Sequence, residues 1–596
     1  MIKRVAESYK HNFAIIAFGP FLKIIEAAFD LLIPLIMKAV IDLSSDKEPT
    51  GLSAFVRMFN PGGTHLGDAL AGGIIILIMG IMGYVITMCS QYLAARASVN
   101  VGTEVRSSLY QKLLSLSKKE RENIGNARLL TLINSDTYQL QKGVLYFVRL
   151  VVRAPFILIG SLIISFILDW RVGLAFTAIV PLILLVNYLV LRQSSKQYVG
   201  IQSDLDDLSN STSEISDGAR VVRASNQEAQ ENQKFNNKTT SYEDKSIKVN
   251  RVNALINPLT FAITAIVLIV IILLLQNDLF ENRVLVSSTI IAEMAYLSQI
   301  FFVVVQLSQV MVEIVKASVS RKRIDNALAI EPKIVNINNP KTGEVKYGEQ
   351  LIKFENVSFS FNENGEFLSN LNFEIRKGET FGIIGGTGSG KSTVINLIER
   401  FYDASKGTIY YKGIPIKEYD LNALRNDIGL VNQKSSLFNG SIKSNYLMSN
   451  RNASDEDIKT ALKQAEAFEF VSKYEDGINH PVNEGGLNFS GGQRQRLCIG
   501  RALVKKPELL ILDDSMSALD LLTDKKIRSN ITNLKDMTKV IVSQRVSTIQ
   551  NADFILVLEG GQVVGQGKHE DLLKNCPIYK EIYETQVKRN LDEGEE

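Results

Sequence analysis

Apolar and polar positions divide this chain into two unlike parts. As far as about residue 320, long apolar runs alternate with polar, helix-favouring stretches, and beyond residue 351 the pattern becomes that of a globular domain. Six runs, near 13–43, 68–97, 143–168, 171–192, 252–276 and 284–316, are long enough to cross a bilayer, which takes roughly 20 mostly apolar residues. Several exceed that length, so their helices are expected to project beyond the hydrocarbon. The connections alternate in length. Asp169-Trp170 and Asn277-Asp278 are very short, 44–67 is moderate and contains Gly and Pro, and 98–142 and 193–251 are long. The pattern predicts an α-helical six-span transmembrane domain over 1–320 with two long polar loops. A linker over 321–350, an α/β domain with a helical subdomain over 351–585 and an acidic tail over 586–596 follow it.

Both long loops are rich in Lys and Arg: Arg106, Lys112, Lys118, Lys119, Arg121, Arg128, Lys196, Arg220, Arg223 and Lys234. With Lys3-Arg4 and Lys10 at the start, this bias puts the loops and both chain ends in the cytoplasm. The first span is expected to serve as an uncleaved insertion signal. Glu26, Asp30, Arg149, Arg153 and Glu293 fall inside apolar runs, where a charge is costly and usually faces a cavity or a partner. For the carboxylates, a polar cavity and an interhelical ion pair are both open. The two arginines are expected to lie near a helix end and reach the interface.

Charge and cysteine content change the picture little. There are 66 Lys+Arg against 63 Asp+Glu, so no overall field points to nucleic acid. Cys89, Cys498 and Cys576 lie far apart, with no disulfide or metal spacing.

The informative chemistry lies in the second part. Gly385-Gly386-Thr387-Gly388-Ser389-Gly390-Lys391-Ser392 fits G-x-x-x-x-G-K-[ST] and is followed by Thr393. It joins a predicted buried strand, Thr380–Ile384, to a predicted helix over 391–400. Glycines let backbone N–H groups wrap a phosphate at a helix N-terminus. Lys391 is then expected to reach the β- and γ-phosphates, and Ser392 to bind Mg²⁺. Ser490-Gly491-Gly492-Gln493 opens a further helix, again setting a hydroxyl and glycine amides at a helix start. Another apolar strand, Leu509–Leu512, closes on Asp513-Asp514, and Gln544 follows Val540-Ile541-Val542-Ser543.

Taken together, these motifs and their order resemble an exporter-type ABC transporter half, a membrane domain fused to a nucleotide-binding domain. The resemblance implies ATP and Mg²⁺ as cofactors and two nucleotides sandwiched between paired domains. The Ser490–Gln493 signature then serves the opposite subunit's ATP. It implies Mg²⁺ held through Asp513, with Gln433 contacting Mg²⁺ and linking the site to coupling helices near 120–128 and 214–223. Phe361 then stacks on adenine, unless it and Phe359 are simply core. Ser517-Ala518-Leu519-Asp520 becomes the loop between the two sites, and Glu484 and Gly486 the segment touching the partner. Two positions depart from the family. The acidic residue after the Mg²⁺ ligand is commonly Glu and the switch residue His; here they are Asp514 and Gln544. Asp is one methylene short for a contact that tolerates only about 2.6–3.2 Å, and Gln lacks the imidazole.

The expectation is therefore one subunit of a heterodimeric exporter in the cell membrane. Its own ATP site is weak, and its partner is a non-identical half with intact Glu and His. Substrates are expected to be amphipathic, drug-like or lipid. An ATP-gated regulator or channel, or an importer with exporter architecture, are the alternatives.

Overall fold

The computed structural model describes residues 2–44, 49, 51–60, 64–281, 283–361, 365–516 and 519–592. By contact the chain falls into two units, residues 1–114 with 125–330, and residues 115–124 with 331–596.

Helices α1 Ile2–Asp42, α2 Leu52–Met58 and α3 His65–Ser115 are followed by the short helices α4 Lys118–Ile124, α5 Asn126–Thr131 and α6 Thr137–Tyr146. Then come α7 Arg153–Leu168, α8 Trp170–Ala224, α9 Glu228–Ala254, α10 Ile256–Glu281 and α11 Arg283–Ala329. Among the described residues, five helical stretches are long and apolar enough to cross a membrane: His65–Ser115, Asn126–Leu168, Trp170–Val190, Glu228–Gln276 and Val286–Ala329. Helix α1 is not one of them; its described part carries Lys23, Glu26, Asp30 and Lys38. The expected break at 277–278 lies inside α10, which continues to Glu281. The expected short helix at 214–223 is the end of the continuous α8, and the chain reverses only at 225–227. α11 also runs on through 321–329, so the expected linker starts as helix.

The charges in the apolar runs pair with one another. Lys23 Nζ lies 2.5 Å from Glu26 Oε2, and Arg153 on α7 lies 3.7 Å from Glu26 Oε1 and bonds Asp30. Arg153 thus bridges two helices and does not reach for the interface as expected. Gln299 Nε2 donates to the Asp30 carbonyl (2.8 Å), and Tyr296 Oη to the Leu31 carbonyl (2.7 Å). The fully buried Glu293 accepts from Ser165 Oγ at 3.0 Å. Of the two readings left open, interhelical pairing describes Glu26 and Asp30.

In the second unit, an antiparallel sheet has the order β2-β1-β4-β5, from β1 Gln350–Phe359, β2 Leu368–Arg376, β4 Lys406–Tyr411 and β5 Ile414–Pro415. The main sheet adds β3 Thr380–Gly385, β6 Ile428–Val431, β9 Leu509–Asp513, β10 Thr538–Ser543, β11 Phe554–Glu559 and β12 Gln562–Gly567. Its order is β12-β11-β3-β10-β9-β6, parallel except for β12. β7 Gly440–Ser441 and β8 Pro481–Val482 form a separate ribbon. These parallel strands are unbroken apolar runs because helices cover both faces. Helices α12 Lys391–Ile398, α13 Leu421–Asp427, α14 Ile442–Ser449, α15 Asp455–Gln464, α16 Phe468–Val471 and α17 Gly491–Leu503 precede β9. The last four helices are α18 Leu521–Thr532, α19 Val546–Ile549, α20 His569–Asn575 and α21 Pro577–Asp592. Helix α21 spans the expected start of a tail at 586, and residues 593–596 lie outside the described residues.

Removing Arg153 deprives Glu26 and Asp30, both on α1, of their partner on α7. Arg153→Leu is expected to destabilise by about 1–3 kcal/mol, less than a fully buried pair because Arg153 and Asp30 are partly accessible. A lowered thermal midpoint of the detergent-purified protein is the readout.

Candidate functional site

Five parallel strands present their carboxyl ends along one edge of the main sheet, where ligands bind in such folds. The central strand β3 leads into the glycine loop. Gly388 (φ +81°) and Gly390 (φ +102°) adopt left-handed backbone that other residues rarely tolerate. A Cβ on Gly385 would stand 2.1 Å from the Leu558 carbonyl oxygen, so only glycine fits there. Buried Lys391 folds back, donating from Nζ to the carbonyls of Gly385 (2.8 Å) and Gly386 (2.7 Å). Buried Thr393 donates its N–H to the Gly390 carbonyl at 3.0 Å, closing the first turn of α12.

The neighbouring strands bring in the acidic groups. Asp513 ends β9 and accepts a hydrogen bond from Ser392. Burial, more than the adjacent Asp514, raises its carboxyl above the usual range, against the pull of Lys391. Asp514 has φ +45°, a strained conformation for a non-glycine residue. Its N–H donates to the Val542 carbonyl at 2.9 Å, and its Oδ2 accepts from Gln433 Nε2 at 3.3 Å. Burial raises this carboxyl as well, and Gln433, Lys391 and Arg545 offset it. Gln544 follows β10 with its side chain exposed. The fold thus gathers Lys391, Ser392, Gln433, Asp513 and Asp514 at one edge.

Other expected residues stand apart. Ser490 and Gln493 cap α17 reciprocally, Ser490 N–H donating to Gln493 Oε1 (3.0 Å) and Gln493 N–H to Ser490 Oγ (3.2 Å). This is the capping box that S-x-x-Q encodes, and Gly491 and Gly492 form the first turn. Glu484 and Gly486 form a short helical turn just before it, with Gly486 at φ +72°. Phe361 lies beyond the end of β1, not on a strand face shared with Phe359. It meets Phe359, Phe367 and Tyr402 at centroid separations of 4.8, 5.1 and 5.7 Å, yet keeps 37% of its surface exposed. Of the expected inter-site loop, Ser517 and Ala518 lie outside the described residues, while Asp520 caps α18 through Thr523 N–H.

A helix was expected near 120–128, but its contacts, and two further contributions, were not read from the sequence. Helix α4 packs with the nucleotide-site unit. Lys118 Nζ donates to Asn396 Oδ1 on α12 (3.2 Å), Lys119 Nζ to the Phe361 carbonyl (2.7 Å), and Tyr402 Oη to Glu122 (2.7 Å). Glu399, just past α12, is a buried carboxyl raised to about 8 by burial, against the pull of Arg425 and Lys118. Gln586, placed in the expected tail, bonds the segment around Gln544. Its spacing from Tyr579, Ile582 and Tyr583 was the available signal.

Sequence and structure comparisons agree with this arrangement. Residues 16–303 match the ABC transporter transmembrane region, and residues 368–517 match the ABC transporter family. The chain is 31% identical, over 95% of both chains, to a putative ABC transporter ATP-binding protein of Mycoplasma genitalium. It is 30% identical, over 82% of both, to an ATP-dependent lipid A-core flippase of Saccharophagus degradans. A bacterial Atm1-family ABC exporter, solved with ATP bound, superposes with a TM-score of 0.81 at 23% identity, covering 96% of this chain and 99% of that one. The chain belongs to the ABC transporters. It is a multi-pass membrane protein of exporter fold with a cytoplasmic nucleotide-binding domain.

The residues fit ATP with Mg²⁺. Among the described residues, a Cβ on Gly386 or Gly388 would meet nothing within 4 Å, leaving one side of the loop open, and the buried Ser389 Oγ has no hydrogen-bond partner. Hydroxyl, amide and carboxylate oxygens from Ser392, Gln433 and Asp513 suit a hard cation. When bound, ATP supplies the phosphoryl group that is transferred to water.

Lys391→Ala is expected to weaken ATP binding about 100-fold, as loss of a charge-assisted contact would, measured with a fluorescent nucleotide. Glu399 gives a pH test. The folded domain holds this proton more tightly than the unfolded chain, whose carboxyl has its ordinary value near 4.5. That stabilisation is complete below the ordinary value and is lost as pH rises through about 8. The thermal midpoint of the domain should therefore fall between about pH 5 and 8 and level off above that, and Glu399→Gln should remove most of the fall.

Proposed function

We propose that this chain is one half of a heterodimeric ABC exporter, moving amphipathic drug-like or lipid compounds out of the cytoplasm by alternating access. In this reading α1 is the first of six spans, and α4 is the coupling helix on the chain's own nucleotide-binding domain. Lys391 and the amides of Gly386–Ser392, with Thr393, hold the ATP phosphates, and Phe361 stacks on adenine through its exposed face. Ser392, Gln433 and Asp513 hold Mg²⁺. Ser490 to Gln493 complete the partner's site.

The observation that carries the asymmetric reading is the pair Asp514 and Gln544 at the positions that act on the attacking water. The Asp514 carboxylate is drawn toward Gln433 at 3.3 Å, and its short side chain limits its reach beyond that. ATP binding is retained because the phosphate loop is complete. Turnover at this site is slow, and hydrolysis falls to the site built from this chain's Ser490 and the partner's phosphate loop. Similarity to a lipid A-core flippase supports an amphipathic cargo.

The test is gain of function. Asp514→Glu combined with Gln544→His should raise ATP turnover of the purified chain at least about tenfold, since each such group contributes 10²–10⁴-fold in general acid–base catalysis. Fast turnover by the unaltered chain, abolished by Asp514→Ala, would make Asp514 a working base and sink the weak-site reading.

A further inference from the structure

Helix α19 begins badly. Its first residue, Val546, follows Arg545, whose side chain makes no capping bond. The first N–H groups of a helix have no partner within it and must find one elsewhere. Here the partner comes from the last helix of the chain. Gln586 Oε1 accepts from Val546 N–H at 2.8 Å, and Gln586 Nε2 donates to the Gln544 carbonyl at 2.7 Å. One primary amide, with its donor and acceptor side by side, spans both groups.

The clamp has a firm base. Tyr579 is fully buried, and its hydroxyl lies 2.7 Å from His569 Nδ1, while Ile578, Ile582 and Tyr583 pack against the same core. Residues 579, 582, 583 and 586 follow the i, i+3, i+4, i+7 spacing of one helix face. That face is apolar until its last member, which is polar where a free carbonyl and a free N–H await it. On the other side of the segment, Arg528 from α18 donates to the Ser547 carbonyl at 2.7 Å.

We infer that Gln586 is a positioning residue for the γ-phosphate switch: it fixes the backbone of Gln544, and so the direction of that side chain, from the C-terminal helix. The inference rests on the reading of Gln544 as the switch residue. Gln544 itself is exposed, and among the described residues no side-chain hydrogen bond holds it, so its backbone anchoring governs where it points. The Gln586 amide is engaged by the backbone of residues 544 and 546, and its loss should alter turnover without altering ATP affinity.

The experiment uses the full-length chain in lipid nanodiscs, with Gln586→Ala and Gln586→Glu beside the unaltered protein. Glu keeps the acceptor for Val546 N–H and loses the donor to Gln544. Three quantities are measured: amide hydrogen exchange of residues 544–549, the single-turnover rate of ATP hydrolysis, and the Kd of a fluorescent ATP analogue. Gln586→Ala is expected to speed exchange in 544–549 at least tenfold, leave exchange in β10 unchanged and slow the single turnover five- to twentyfold. Kd should stay within twofold, and Gln586→Glu should fall between Ala and the unaltered chain in both exchange and rate. Unchanged exchange in 544–549 would overturn the inference, as would rate and affinity falling together with the thermal midpoint. Exchange and affinity are read without reference to which carboxylate drives hydrolysis, so failure of the weak-site reading leaves this result distinct.

Discussion

The nucleotide site depends on strands that are buried on both faces and end together. β3, β10, β9 and β6 are held in register by parallel pairing, from Thr380 beside Lys539 to Leu512 beside Val431. Because their hydrophobic residues face helices on both sides, the strands cannot slip without exposing a core, and their carboxyl ends are placed to within a residue. The phosphate loop, Gln433, Asp513, Asp514 and Gln544 all hang from those ends. Rigid strands also explain how Asp514 is kept at φ +45°. Its N–H is tied to Val542 across the sheet, so the surrounding pairing offsets a conformation that would otherwise relax.

Around this frame, side chains from distant parts of the sequence tie down what the strands leave loose. Helix α4 arises between two membrane helices yet belongs by contact with the nucleotide site, through Lys118, Lys119 and Glu122. It reaches both the helix behind the phosphate loop and the aromatic cluster around Phe361. Gln586 and Arg528 do the same for residues 544–547 from α21 and α18. Lys119, Gln586 and Arg528 bond backbone groups, whereas Lys118 and Glu122 meet the side chains of Asn396 and Tyr402.

Much of this was legible beforehand. Glycine at 388 and 390, lysine at 391, a buried strand before them and a helix after them read as a phosphate loop because together they set backbone amides and one amine around an anion. Ser490 and Gln493 announce their own capping box. The membrane half was legible as apolar length, less so as boundaries. A helix does not stop where hydropathy falls, and α8, α10 and α11 run past the expected ends because nothing in 193–224, 277–281 or 317–329 breaks them. Arg153 was misread for a related reason. Hydropathy sees a charge near a run's end, whereas Glu26 and Asp30, its partners, lie more than 120 residues away in sequence.

The sequence by itself determined which chemistry is present. Local motifs carry the phosphate loop, the signature turn, the acidic pair and the substitutions Asp514 and Gln544, because each works through neighbours a few residues away. Tertiary structure alone decided what holds those groups in place. The bond of Gln433 to Asp514, the contacts of Lys118, Lys119 and Glu122, the burial of Glu399 and the bonds of Gln586 to residues 544 and 546 join residues whose separation in the chain carries no pattern. Their proximity comes from sheet order and helix packing, which are properties of the whole core.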